Sequence, residues 1–182
     1  GEVEFKDPNF DPDKDDPEDE YLGYPLLGAD TTWLETNTFS IKFRAAGYAT
    51  DEDVWQAIAA NQRLVVIDQQ VALGGGDGFG PSSLFTVDRE LTEGFEPFTI
   101  TMRDPGTGAD TELTVIGQVD DSSALFFSAI ITSLDTLEAI YPDASTQAWY
   151  VKLDGGTDSR AYALTIESAL FQASAESFDK LI

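Results

Sequence analysis

Alternations of apolar and polar residues divide this chain into short elements. Leu113-Thr-Val-Ile-Gly-Gln-Val119 and Ser123-Ala-Leu-Phe-Phe-Ser-Ala-Ile-Ile131 are rich in β-branched and aromatic residues, as buried strands are. From Ser133 to Tyr141 the period lengthens. Leu134, Leu137 and Ile140 fall at helical spacing, and Pro142 stops the turn. Ala148 to Leu153 alternates again, with Trp149, Val151 and Leu153 on one side. The pattern predicts strand, strand, short helix, strand.

Upstream, Tyr21 to Leu27 is apolar but holds Gly23 and Pro25, which predicts an extended segment. Asp30 is placed to cap one helical turn that turns Trp33 and Leu34 inward. Thr38 to Phe43 alternates through Phe39, Ile41 and Phe43, the pattern of a strand. Thr50-Asp-Glu-Asp53 is a capping box with Asp in the usual Glu place, and it opens a helix with Val54, Trp55 and Ile58 as its stripe, ending near Asn61. Leu64 to Asp68 reads as a buried strand. The glycine-rich Gln69 to Ser83 reads as a loop, and Leu84 to Val87 as a short strand. Phe95 to Met102 and Thr111 to Val119 form a hairpin across Asp104-Pro-Gly-Thr-Gly108, where Pro second and Gly third predict a type II turn. Asp158 caps a last helix whose expected inner face is Ala161, Leu164, Ala169 and Leu170, packed on the Trp149–Leu153 strand.

Composition narrows the function classes. The 182 residues suffice for one domain with a core or for two small lobes. No apolar run approaches the ~20 residues of a membrane helix. Cysteine is absent, which removes disulfides and thiolate chemistry. Histidine is absent too, and with it the commonest general base and transition-metal ligand. A net charge of −24 repels phosphate backbones and anionic head groups, so no nucleic-acid partner is expected. Residues 1–20 are dense in acids and prolines. They read as an acidic flexible arm, in which Val3 and Phe5 could add an edge strand. With neither an initiator Met nor a leader pattern, the chain reads as a mature or trimmed piece.

The candidate chemistry is sparse. Asp11, Asp13 and Asp15 stand at the first, third and fifth positions of a calcium loop. Asp16 occupies the place of the required Gly, and Leu22 that of the bidentate acid. This is not an EF-hand. No metal site is expected, and these three residues come nearest to one. Gly74 to Gly80 contains neither a dinucleotide fingerprint nor a Walker loop. The carboxylate pairs Asp51/Asp53, Asp120/Asp121 and Asp68/Asp77 are what chance supplies among 34 acids. No catalytic residue and no cofactor is expected, and the chain does not read as an enzyme. Trp33, Trp55 and Trp149, with Tyr24, Tyr48 and Tyr141, could line a sugar or lipid groove. Inward packing is the favoured reading for Trp55 and Trp149.

The order of the pieces carries more than any one of them. Asp30-Thr-Thr-Trp-Leu, Phe43-Arg-Ala-Ala-Gly-Tyr48, Asp51-Glu-Asp-Val-Trp-Gln-Ala-Ile58 and Leu64-Val-Val-Ile-Asp68 follow one another as in the extracytoplasmic domain of FtsX-like ABC transporter permeases. Leu113 to Val119, the second apolar strand, the short helix, Tyr150-Val-Lys-Leu-Asp154-Gly-Gly-Thr-Asp158 and the last helix continue the resemblance, which spans Leu26 to Phe171. It implies an α+β fold of MacB-like periplasmic core architecture, with a β-rich lobe at 21–119 and a smaller βαβ-type lobe at 120–182. It also implies that the acidic arm stands where the family has its first strand and helix. The implied role is to relay conformational change and to dock substrate, lipid or an extracytoplasmic partner protein, with no chemistry of its own. The implied partners are membrane spans of the same permease, which would anchor the domain on the outer side of the cell membrane, and a cytosolic ABC ATPase. The alternative is a free secreted binding protein for a cation or a glycan.

Overall fold

In a computed structural model, the described residues are 2–61, 63–73, 84–104, 106–120, 128–142, 149, 151, 153–170 and 174–175. The fold is mixed α+β. The described residues form seven strands: β1 (Glu2–Lys6), β2 (Tyr21–Ala29), β3 (Ile41–Arg44), β4 (Leu64–Ile67), β5 (Phe98–Arg103), β6 (Asp110–Val119) and β7 (Ile130–Ser133). The described helices are α1 (Thr31–Thr36), α2 (Asp51–Ala60), α3 (Gln69–Leu73), α4 (Leu134–Ile140) and α5 (Ser159–Ala169), with a 3-10 turn at Pro17–Glu20. The chain forms two compact units, Gly1–Ser145 and Thr146–Ile182.

In the first unit the sheet closes on itself. Its strand order is β3-β6-β4-β7-β2-β1-β5, and β5 also pairs with β6. Followed from β6 through β4, β7, β2, β1 and β5, the hydrogen-bonded neighbours return to β6, so six strands make a ring and β3 hangs outside it. β4 lies parallel to β6 and β2 parallel to β7, while the other pairings are antiparallel. With ten residues, β6 both closes the ring and holds β3. One of its edges takes β4. The other takes β5 along Asp110–Val115 and β3 along Gly117–Val119.

Alternation fills the ring. Val3 and Phe5 on β1, Tyr24 and Leu26 on β2, Ile100 and Met102 on β5, and Leu113 and Val115 on β6 are buried and the residue between each pair is less so, though Ile116 after Val115 is also buried. Phe5 stacks on Phe85 with ring centroids 4.8 Å apart. Outside the ring, α2 lies over β3, β4 and β6. Its Val54 approaches Gly117, and a Cβ there would stand 3.0 Å from a Val66 methyl and 3.4 Å from one of Val54. That double cover is why Val65, Val66 and Ile67 are all buried and read as an unbroken apolar run. Gly28 plays the same part under α4, where a Cβ would meet Leu137 at 2.8 Å.

Several expectations need correction. Residues 1–20 are not a flexible arm. β1 is an interior strand between β2 and β5, not an edge strand, and residues 7–20 are turns tied back by Asp7 N–H to the Glu20 carbonyl at 2.9 Å. The acid count hid a local alternation in which Glu4 and Lys6 face out and Val3 and Phe5 face in. The boundary at 119/120 also fails, since β7 and α4 belong to the unit that holds the closed sheet. The expected loop at 69–83 begins with a helix, α3, and residues 74–83 lie outside the described residues. In the β5–β6 turn the positive φ falls on Gly108, at 70°, and not on Gly106, so the turn is not type II. Asp104 closes it instead, accepting from the N–H groups of Gly106 and Thr107 at 2.7 and 3.0 Å.

The second unit departs furthest. Trp149 is 83 % exposed, and the described residues 149, 151 and 153 carry no strand. Asp158 caps α5 as expected, accepting from Ala161 N–H at 2.9 Å, but no residue of that helix is buried, Leu164 included, and Leu170 just beyond it is exposed. Helical and strand periodicity is present there without a described packing surface.

Two consequences can be measured. Phe5→Ala should cost about 3–5 kcal/mol in denaturant melts, the usual loss for a buried Phe, whereas Glu4→Ala should change stability by less than about 0.5 kcal/mol. Similar small effects for both would return residues 1–20 to the status of a tail. Gly28→Val should destabilise by about 1–3 kcal/mol or more, because Leu137 and the α4 backbone must move away from the new side chain.

Candidate functional site

Three polar constellations stand out in the first unit. The first sits on β3. Asp51 at the start of α2 accepts from the Ile41 N–H through Oδ2 at 3.1 Å and from Arg44 Nη1 through Oδ1 at 2.6 Å. Glu93 accepts from the Arg44 N–H through Oε2 at 3.0 Å, and from Nε and Nη2 through Oε1 at 3.0 and 2.7 Å. Two carboxylates thus bind backbone N–H groups of a strand outside the ring, and Arg44 pairs with both. This is how an open edge is blunted. Contact with the Arg44 backbone N–H, then its side chain, holds Glu93 below its ordinary pKa. Arg44 is raised by Glu93 first and Asp51 second. Asp53 is lowered by the Thr50 hydroxyl and backbone in the capping box that the sequence predicts.

The second is buried. Asp68 follows β4 and is 1 % exposed. Its Oδ2 accepts from Tyr24 Oη at 2.6 Å and its Oδ1 from Val71 N–H at 2.9 Å. Burial raises its pKa against the opposing effect of these donors. Tyr24, equally buried, is raised by desolvation and then by its bond to Asp68. The sequence singled out both residues without joining them: Asp68 was paired with Asp77, which lies outside the described residues, and Tyr24 was grouped with the surface aromatics.

The third is a stack on the outer sheet. The Arg103 guanidinium lies 3.3 Å from the Tyr21 ring centroid, and Tyr21 Oη donates to Asp110 at 2.9 Å. Lys6 pairs with Glu20 at 3.1 Å beside it. Arg103 Nε is buried without a hydrogen-bond partner. Stacking on Tyr21 is the contact that it makes.

The remaining candidates do not converge. Asp11 accepts from Lys14 and from the Asp13 N–H, and Asp15 accepts from the Asp11 N–H at 2.7 Å, so Asp11 and Asp15 spend their oxygens on local turns. Asp13 meets the Asp11 carboxylate only through its backbone N–H, and among the described residues no three acids are grouped to hold a metal ion. Asp121 lies outside the described residues. Trp55 is inward as expected. Its Nε1 donates to the Phe39 carbonyl at 3.1 Å, and its ring meets Trp33 edge-on at 5.5 Å. Tyr48 and Tyr141 pack against the core, which leaves Trp149 as the exposed tryptophan. Two small depressions, lined by Arg63, Asp104 and Thr136 and by Lys42, Phe43 and Leu91, hold about 110 and 150 Å³. Small-molecule clefts run to ~300–1,000 Å³.

Acid titration checks the electrostatics. Asp53, Glu93 and Asp104 all have folded-state values below the ordinary 3.8–4.5. Their stabilisation is complete above that range and is lost as pH falls through the lowered values. Urea melts from neutral pH downward should show stability falling below about pH 4. In Arg44→Met the part of the Glu93 share that comes from the guanidinium should be lost while the backbone N–H part remains, giving lower stability at pH 7 and a somewhat shallower acid slope. An unchanged slope would remove the guanidinium as a source.

Compared with protein-family models, with curated proteins and with solved structures, the chain finds no match.

Proposed function

We infer that the chain is an extracytoplasmic domain of an FtsX-like ABC transporter permease, of MacB-like periplasmic core architecture, that docks partners and relays motion without chemistry of its own. The observation that carries this reading is the order of the resembling pieces, four of which fall on separate elements, while much of the second apolar strand and of residues 150–154 lies outside the described residues. Asp30 to Leu34 is the capped start of α1. Asp51 to Ile58 is α2 with its capping box. Leu64 to Asp68 is β4 with the buried carboxylate, and Leu113 to Val119 is the part of β6 that meets β4 and β3. The constellations support a passive role as well. Asp51, Glu93 and Asp68 are saturated by protein donors, so none is poised as a general base or nucleophile. On this reading the cytosolic ATPase supplies the energy and membrane spans of the same permease carry it to the domain.

A glycan-binding reading keeps one observation in its favour, the exposure of Trp149, since an exposed indole is a sugar platform.

The chain lacks cysteine, so one introduced at an exposed site gives a single label in this domain. In the full-length protein, with any other cysteines removed, Asp13→Cys should react with a membrane-impermeant maleimide on intact spheroplasts. The labelled protein should sediment with membranes and co-purify with an ATPase. Release as a soluble protein with no associated ATPase would sink the permease reading. Loss of binding on a glycan array through Trp149→Ala would then favour the alternative.

A further inference from the structure

One polar side chain interrupts the apolar run of β6. Gln118 stands opposite Phe43 on β3 and Ile67 on β4, and it is 2 % exposed. Among the described residues its carboxamide makes no hydrogen bond. That group carries two N–H donors and an acceptor oxygen, and burying them without partners opposes folding. An aliphatic side chain would suit the place, as Val115, Ile116 and Val119 do on the same strand. A buried amide left open in a strand calls for a partner from outside the fold.

Gln118 lines the depression of about 150 Å³. The other walls are Lys42 and Phe43 on β3, Leu73 at the end of α3, and Glu90 and Leu91 on the segment before β5. Lys42 reaches Gln69 at 3.4 Å and lies over the Phe43 ring. Among the described residues of the first unit, Leu73 is the large apolar side chain left exposed, at 45 %. Exposed apolar surface and a buried, unpaired amide thus meet in one place.

We propose that this depression binds a neutral primary carboxamide, either a free small amide or the side chain of a Gln or Asn on a partner polypeptide. The pairing is reciprocal. Gln118 donates an N–H to the ligand oxygen and accepts from the ligand N–H with its own oxygen. Phe43, Leu73 and Leu91 cover the aliphatic part. An apolar cavity of ~150 Å³ takes a benzene-sized molecule, which sets the size. Charge selects against ions of either sign. A carboxylate meets Glu90 and the field of a chain of net charge −24, and a cation meets Lys42. The site does not depend on the permease reading.

The test is ¹H–¹⁵N NMR of the full chain, titrated with propionamide and with its charged isosteres propionate and propionamidinium. Propionamide should shift the Gln118 side-chain NH₂ and the Leu73 and Leu91 amides saturably, with a Kd on the order of 10 mM for so small a ligand. Both isosteres should bind about tenfold or more weakly. Glu90→Gln, at an exposed position, should bring propionate about threefold or more closer to propionamide. Gln118→Met keeps the shape and removes the hydrogen-bonding end, so it should hold or raise the urea midpoint and abolish the response. A peptide with one central Gln and an N-methylamide end separates the sources. Binding about tenfold or more tighter than propionamide assigns a partner polypeptide, and weaker or equal binding a free amide. Equal shifts from all three isosteres, a response that survives Gln118→Met, or no saturation by propionamide up to about 0.3 M overturns the site and leaves Gln118 to water alone. So does a Gln118→Met variant that melts at lower urea, which makes the carboxamide a structural group.

Discussion

The larger unit depends on one strand having two full edges and three partners. β6 is long enough to give β4 one edge and to divide the other between β5 and β3. The β5 part closes the ring, and the remainder holds β3. If β6 stopped at Val115, the ring would still close but β3 would have no ladder, and α2 would lose the platform that its Val54 and Trp55 cover. Gly117 marks the change of partner. With no side chain there, Val66, Ile41 and Val54 approach within the space of a methyl group. The pairing registers shift beside it in both neighbours, between Val65 and Val66 and between Ile41 and Phe43. A closed ring also removes unpaired edges, which otherwise invite association.

The charge of the chain has a structural use beyond solubility. Many of its acids bind backbone N–H groups: Asp30, Asp53 and Asp158 at helix starts, Asp104 in a turn, Asp51 and Glu93 along β3, and Asp68 between strands. A carboxylate that accepts from the backbone is held in place, and Arg44 stands between two of them as a bridge.

The sequence by itself determined the local elements, and for a local reason. Caps, helical stripes and alternation depend on residues three or four positions apart, so Asp30, the Thr50/Asp53 box, Ser133 and Asp158 were legible as helix starts, and Leu64–Asp68 and Leu113–Val119 as strands. Tertiary structure alone decided partners and faces. Val3 and Phe5 read as no more than a possible edge strand because the acids around them dominate the composition. Only the gap between β2 and β5 makes that alternation an interior strand. Trp149 sits in the same kind of pattern as β1 yet stays exposed, since periodicity says which residues share a face and not whether anything covers it. The link between Tyr24 and Asp68 spans 44 positions and was invisible for the same reason. A buried hydroxyl and a buried carboxylate leave no mark on their sequence neighbours, and only the crossing of β2, β4 and β7 brings them to hydrogen-bonding distance.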